Sequence, residues 1–188
     1  MNNTSSPVKA FKRSASLTSN WYMGINWYIG ILTSNFAENK DTGGSFCLVE
    51  ATSVPGTEPP PHVHSREDEL FYVLEGQFEV FVGADVFTVE AGECVFLPRL
   101  MPHVWVIQSP RLRFLTLFTP AGLEEVFRSM TSPTQNLESS PSALTYSTAD
   151  PDRTARRFGE YGVRFLTPEE IANQLPLYPR SLLSKLAR

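Results

Sequence analysis

Histidine, cysteine, long apolar runs and an excess of either charge are all scarce in this 188-residue chain. No apolar run approaches the roughly 20 residues that cross a bilayer as a helix, so the sequence offers no transmembrane helix. The opening residues, MNNTSSPVKAFKRSAS, contain no apolar stretch before Trp21 and do not read as a secretory signal. Formal net charge is only −4, which makes no general case for nucleic acid as a partner. The cations gather at the two ends, as Lys9, Lys12 and Arg13 and then Arg153, Arg156, Arg157, Arg164 and Arg180. They are expected on solvated tails and helix faces. Two cysteines cannot build a disulfide scaffold. Cys47 and Cys94 sit in the apolar runs SFCLVE and ECVFLP and are both expected as buried free thiols, in a reduced, cytoplasmic setting.

What is present reads as one domain. The chain is 41% hydrophobic and 12% aromatic, enough to pack a core. Its 15 prolines and 11 glycines recur without period, which suits short strands and turns. From Trp21 to Thr119 the runs NWYIGILTS, SFCLVEATSV, LFYVLEG, QFEVFVG, DVFTVEAG, ECVFLP, HVWVIQ and RLRFLTLFTP alternate with turn residues. Regular strands without intervening helices predict an antiparallel sandwich or barrel over residues 21–120. Residues 1–20 are expected as a disordered, Ser/Thr-rich tail. Residues 121–188 are expected as a helical extension packed on the outside of the barrel. Helices are predicted at Leu123 to Met130 and from Asp150-Pro151, and Thr167-Pro168-Glu169-Glu170 carries a helix-start signature. Thr131 to Ser142 reads as a loop. The cluster Trp21 to Tyr28 is expected either as an N-terminal strand or as a lip over a pocket mouth.

Only three histidines occur, and all lie between His62 and His103. His62 and His64 are two residues apart, so on a strand they share a face. Neutral imidazoles ligate divalent transition metals, and a carboxylate completes such a set. Glu69 is the best candidate, with Glu67 and Asp68 as rivals in a charged run. Glu67 is expected to be solvated. Three imidazoles and a carboxylate leave one or two positions open on a five- or six-coordinate ion, as a catalytic metal site requires. Phe71, Phe78, Phe96 and Trp105 are candidate substrate-contacting aromatics, with Trp105 favoured because it shares a face with His103. Outward Leu70, Tyr72 and Leu74 would leave apolar area exposed, which predicts a homodimer.

The segment Gly56 to Gly76, GTEPPPHVHSREDELFYVLEG, matches the first cupin motif, G-x5-H-x-H-x3–4-E-x6-G, at every fixed position. The second motif, G-x5-P-x-G-x2-H-x3-N, is met by Gly92, Pro98 and His103. It departs at Leu100, where glycine is usual, and at Ile107, where asparagine is usual. Leu100 predicts a different turn before His103, and Ile107 a drier surrounding. The chain therefore resembles a single-domain cupin, an all-β jelly-roll barrel with an N-terminal extension and C-terminal helices. Within that superfamily HSREDELFYVLEG, FLPRLMPHVW and the later YGVRFL are similar to small bacterial quercetinase-like monocupins. The resemblance implies Fe, Mn, Ni or Co held by His62, His64, Glu69 and His103, frequent dimerisation, and oxygen-dependent cleavage of flavonols in some members. A metal-dependent dioxygenase of a phenolic or enolic small molecule is then the leading expectation, with O2 as co-substrate. Glu69 would be both ligand and acceptor of the substrate hydroxyl proton. The alternatives are another cupin metal enzyme, an isomerase or decarboxylase of a small acid, and a non-catalytic small-molecule binder. One fold hosts many chemistries.

Overall fold

Strict period-two burial builds this fold. In β3 (Cys47–Ser53) and β10 (Leu112–Thr119) every second residue is buried and the intervening ones are partly exposed. β-Branched and aromatic residues at that period stay on a pleated surface with one wet face. The computed structural model describes residues 8–12, 20–23, 31–130, 132–133 and 151–182.

One antiparallel sheet has seven strands, and β3 and β10 lie at its centre. From one edge to the other its order is β11 (Ser132–Pro133), β1 (Asn20–Met23), β2 (Ile31–Ala37), β3, β10, β5 (Asp68–Glu75) and β8 (Cys94–Leu97). The second sheet has five, in the order β12 (Val163–Phe165), β4 (His62–His64), β9 (His103–Ile107), β6 (Gln77–Val82) and β7 (Asp85–Glu90). The two sheets form a jelly roll, and the main core lies between them. The turn between β5 and β6 depends on Gly76. Its φ is +88°, and a Cβ there would sit 2.2 Å from the Arg111 carbonyl oxygen, so no side chain fits.

The strands expected between residues 31 and 119 are all present. Of the aromatic cluster Trp21 to Tyr28, residues 21–23 form β1 and residues 24–30 lie outside the described residues. Most of the expected N-terminal tail and of the loop 131–142 also lies outside them, although Ser132–Pro133 pair with β1. One short helix, α1 (Asn39–Thr42), lies between β2 and β3, and the expected helices appear as α2 (Glu124–Met130), α3 (Pro151–Glu160) and α4 (Pro168–Gln174). At α4 the capping box is complete: Glu170 N–H donates to Thr167 Oγ1 and Thr167 N–H to Glu170 Oε2.

Two expectations need correction. Cys94 is exposed, not buried. β8 turns Val95 and Leu97 inward, so Cys94 and Phe96 face out. In a run that is apolar on both faces, hydrophobicity alone does not set the phase. Cys47 is buried as expected, and burial pushes its thiol pKa up. The extension after residue 120 does more than cover the outside. Leu123, Val126 and Phe158 belong to the main core, and β12 joins the five-stranded sheet beside β4. α4 and the segment after it bury Ile171, Leu175 and Tyr178 against Phe81 and Val104 on that sheet's outer face.

Candidate metal centre

β4 is only three residues long, yet it carries two of the three histidines. Its alternation turns His62 and His64 inward and leaves Val63 partly exposed. On one side His62 pairs with His103 of β9. On the other side β12 runs along its whole length, with Val163 opposite His64 and Phe165 opposite His62. Two loop hydrogen bonds extend that seam, Ser65 N–H to Gly162 O at 2.8 Å and Leu166 N–H to Pro61 O at 2.9 Å. Glu69 comes from the opposite sheet, where β5 places it across from Phe118 of β10.

These four side chains meet. One ligand atom from each of His62, His64, Glu69 and His103 lies within 4.8 Å of the others, and all four residues are buried. Glu69 Oε2 is 3.8 Å from His64 Nε2 and 3.4 Å from His103 Nε2. The other carboxylate oxygen, Oε1, accepts a hydrogen bond from Thr116 Oγ1 at 3.1 Å. His62 Nδ1 is 2.8 Å from the Pro60 carbonyl and His103 Nδ1 is 3.0 Å from the Met101 carbonyl. A carbonyl only accepts, so both Nδ1 atoms carry the proton and both Nε2 atoms present a lone pair. Burial, and then the neighbouring His103 and His64, holds the His62 pKa well below the ordinary imidazole range. A neutral ring is what a metal needs.

The residues fit a divalent cation. His103 Nε2 is buried and has no hydrogen-bond partner. An unpaired buried polar atom is costly unless something absent from a protein-only structure satisfies it. Three imidazole nitrogens and one carboxylate oxygen are a donor set for Fe, Mn, Co or Ni, and the residues do not choose among them.

The rival carboxylates separate cleanly. Asp68 turns outward to Arg99, which binds it through the guanidinium and the backbone N–H. That contact lowers the Asp68 pKa to about 2. Glu67, expected to be solvated, is 3% exposed and lies behind His64, with Oε2 3.5 Å from Nδ1. Its burial comes from the tight turn between β4 and β5, which local charge density does not reveal. Leu100 has φ +66°, the conformation glycine adopts without strain, so the turn before His103 is of the glycine kind despite the leucine. Ile107 is buried in the main core, in the dry surrounding expected for it.

A cavity of about 60 Å³ leads to the cluster. Phe71 and Trp105 line it. Phe78 lies behind them as core, 1% exposed. Phe96 is on the outer face, 55% exposed, and so is not a cavity residue. The sequence reading missed Phe114, Thr116 and Phe118 on β10, and Leu123, Phe127 and Phe158 from the extension. The alternation of RLRFLTLFTP was signal enough for the β10 residues. Apart from the ligand residues, no ionisable side chain lines the cavity among the described residues.

Residues 49–118 match the cupin domain family. With the jelly roll around it, this match marks residues 49–118 as similar to a cupin domain. The chain is similar to the quercetin 2,3-dioxygenase of Bacillus subtilis, with 26% identity over 97 residues, covering 52% of this chain and 29% of that protein. It is 26% identical over 149 residues to the quercetin 2,3-dioxygenase of Aspergillus japonicus, covering 71% and 42%. The chain thus spans less than half the length of either relative. An RmlC-like cupin from Shewanella frigidimarina shares the fold, with a TM-score of 0.50 and 22% identity over 60% of this chain and 93% of that one. No helix among the described residues is long and apolar enough to cross a membrane.

Proposed function

We propose that this chain is a metal-dependent dioxygenase of quercetinase-like type, acting on a flavonol or a related phenolic or enolic small molecule. The observation that carries this reading is the wall of the cavity. Phe71, Trp105 and Phe114 pack edge to face, with centroids 5.2 to 6.2 Å apart, beside the three imidazoles. Among the described residues the wall has no charged side chain outside the ligand set, and such a wall of rings suits a flat, largely apolar molecule. The resemblance to proteins named quercetin 2,3-dioxygenase supports the same choice.

When bound, a divalent transition ion supplies Lewis-acid polarisation and a route for electrons to O2. The protein's own groups do the rest. His62, His64 and His103 offer Nε2 toward one point. Glu69 Oε2, which faces them, takes the hydroxyl proton of the substrate, while Thr116 keeps Oε1 fixed. The aromatic wall orients the ring and excludes water.

The test is metal content per chain on untagged protein, followed by oxygen uptake with quercetin and with catechol. About one Fe, Mn, Co or Ni per chain, lost in His62→Ala/His64→Ala, together with oxygen uptake abolished by Glu69→Gln, is the expected result. Metal without uptake would leave another cupin chemistry or a small-molecule binder. Turnover that survives Glu69→Gln would remove the proton-acceptor role.

A second copy of the chain is proposed as the cover for the outer face of the seven-stranded sheet. There Leu48, Leu117, Leu70 and Phe96 lie directly opposite one another across four strands. The other sheet's outer face is already covered by α4 and the segment after it.

A further inference from the structure

We propose that Glu67 is a positioning residue of the metal centre: its carboxylate holds the Nδ1 proton of His64 and so commits Nε2 to the ion. This rests on the metal reading above. His62 and His103 each have a backbone carbonyl behind Nδ1. His64 has none; the group facing its Nδ1 is Glu67 Oε2 at 3.5 Å. Both atoms are buried and neither has another hydrogen-bond partner. A shift of a few tenths of an ångström makes the pair a normal hydrogen bond.

Among the described residues no other ion pair within contact distance accounts for this carboxylate, and the Arg99 guanidinium acts on it only at longer range. Ser65 and Arg66 before it are exposed, and Asp68 after it turns out to Arg99, yet Glu67 is 3% exposed. Among the described residues its one ion-pair partner is His64. A buried carboxylate without a cation is costly. It is not a fifth ligand, because it lies on the Nδ1 side of the ring and outside the group whose ligand atoms converge. The seam from Ser65 N–H to Gly162 O and the bond from Leu100 N–H to the His64 carbonyl hold the turn that puts it there. A carboxylate behind a metal-bound imidazole fixes the tautomer and makes the ring a stronger donor.

The experiment measures Co(II) affinity by competition with a chromogenic chelator, and the His64 tautomer in the metal-free protein by long-range proton–nitrogen NMR. With three histidines in the chain, assignment is direct. Glu67→Ala is expected to weaken Co(II) binding by about tenfold or more and to move His64 toward the Nε2–H tautomer. Glu67→Gln keeps an acceptor oxygen and is expected to restore the tautomer and most of the affinity. Asp68→Asn, one residue on but outside the cluster, should bind as wild type does. Affinity within twofold of wild type in Glu67→Ala would overturn the proposal. So would lost affinity with an unchanged tautomer, which means packing alone, or Glu67→Gln as weak as Glu67→Ala. Failure of the metal reading looks different: wild type itself would take up no Co(II), before any Glu67 variant is compared.

Discussion

Thr116→Val replaces one hydroxyl in the cavity wall with a methyl and leaves the shape of the side chain almost unchanged. Thr116 is 6% exposed, so water does not easily replace the lost donor. The atom deprived is Glu69 Oε1, which accepts from Thr116 Oγ1 at 3.1 Å. Leaving a buried acceptor without its donor costs about 1–3 kcal/mol. Taking about 2 kcal/mol, and about 2–4 °C per kcal/mol for a chain of this size, the metal-free protein should melt about 4–8 °C lower. Thr116→Ser is the control. It keeps the hydroxyl and loses one methyl, worth about 1 kcal/mol, and should melt about 2–4 °C lower. Calorimetry on metal-free samples at pH 7 gives the order wild type, Ser, Val. Affinity for Co(II) should separate the two more sharply. Serine still turns Oε2 toward the imidazoles, whereas valine frees the carboxylate to rotate and should cost about tenfold. If Thr116→Val melts within 1 °C of wild type and binds Co(II) equally well, Thr116 does not orient Glu69 and the account of that carboxylate is wrong.

Three further outcomes are expected. Gly162→Ala should lower both the melting temperature and metal affinity, because at φ +88° its Cβ would lie 2.6 Å from Ser65 Oγ, on the turn that follows His64; Gly56→Ala, at φ +92° with nothing within 4 Å, shares the strain but not the clash and should leave metal affinity alone. Phe96→Glu should turn a dimer into a monomer in sedimentation, and a wild-type monomer at micromolar concentration would remove that interface. The Asp68 pKa is depressed, so its contribution to stability is present above the unfolded value of about 3.9 and is lost as pH falls toward about 2. Asp68→Asn should therefore flatten that part of the acid limb slightly, since the pair is largely exposed and salt screens it. An unchanged acid profile in low salt would mean that the Arg99 contact is not formed in solution.

The sequence by itself determined an antiparallel sandwich or barrel and a set of candidate ligands, for local reasons, while the jelly roll and the full His62, His64, Glu69 and His103 set were implied by the resemblance to cupins. Side chains alternate along a strand, so His-x-His can only share a face, and the spacing from His64 to Glu69 leaves room for one turn before the next strand begins. Gly76 and the α4 capping box are legible for the same reason, because each is required by backbone geometry within a few residues. Only the tertiary structure decided what depends on phase and on distant contacts. Cys94 and Phe96 lie in a run apolar on both faces, and only packing set which face turned inward. Glu67 reads as one more charge in Arg66-Glu67-Asp68-Glu69 until the turn carries it behind His64. Phe127 and Phe158 enter the cavity from helices whose own pattern shows an apolar side but not what that side meets. β12 has three residues, too few to stand out, and is a strand because β4 offers it an unpaired edge.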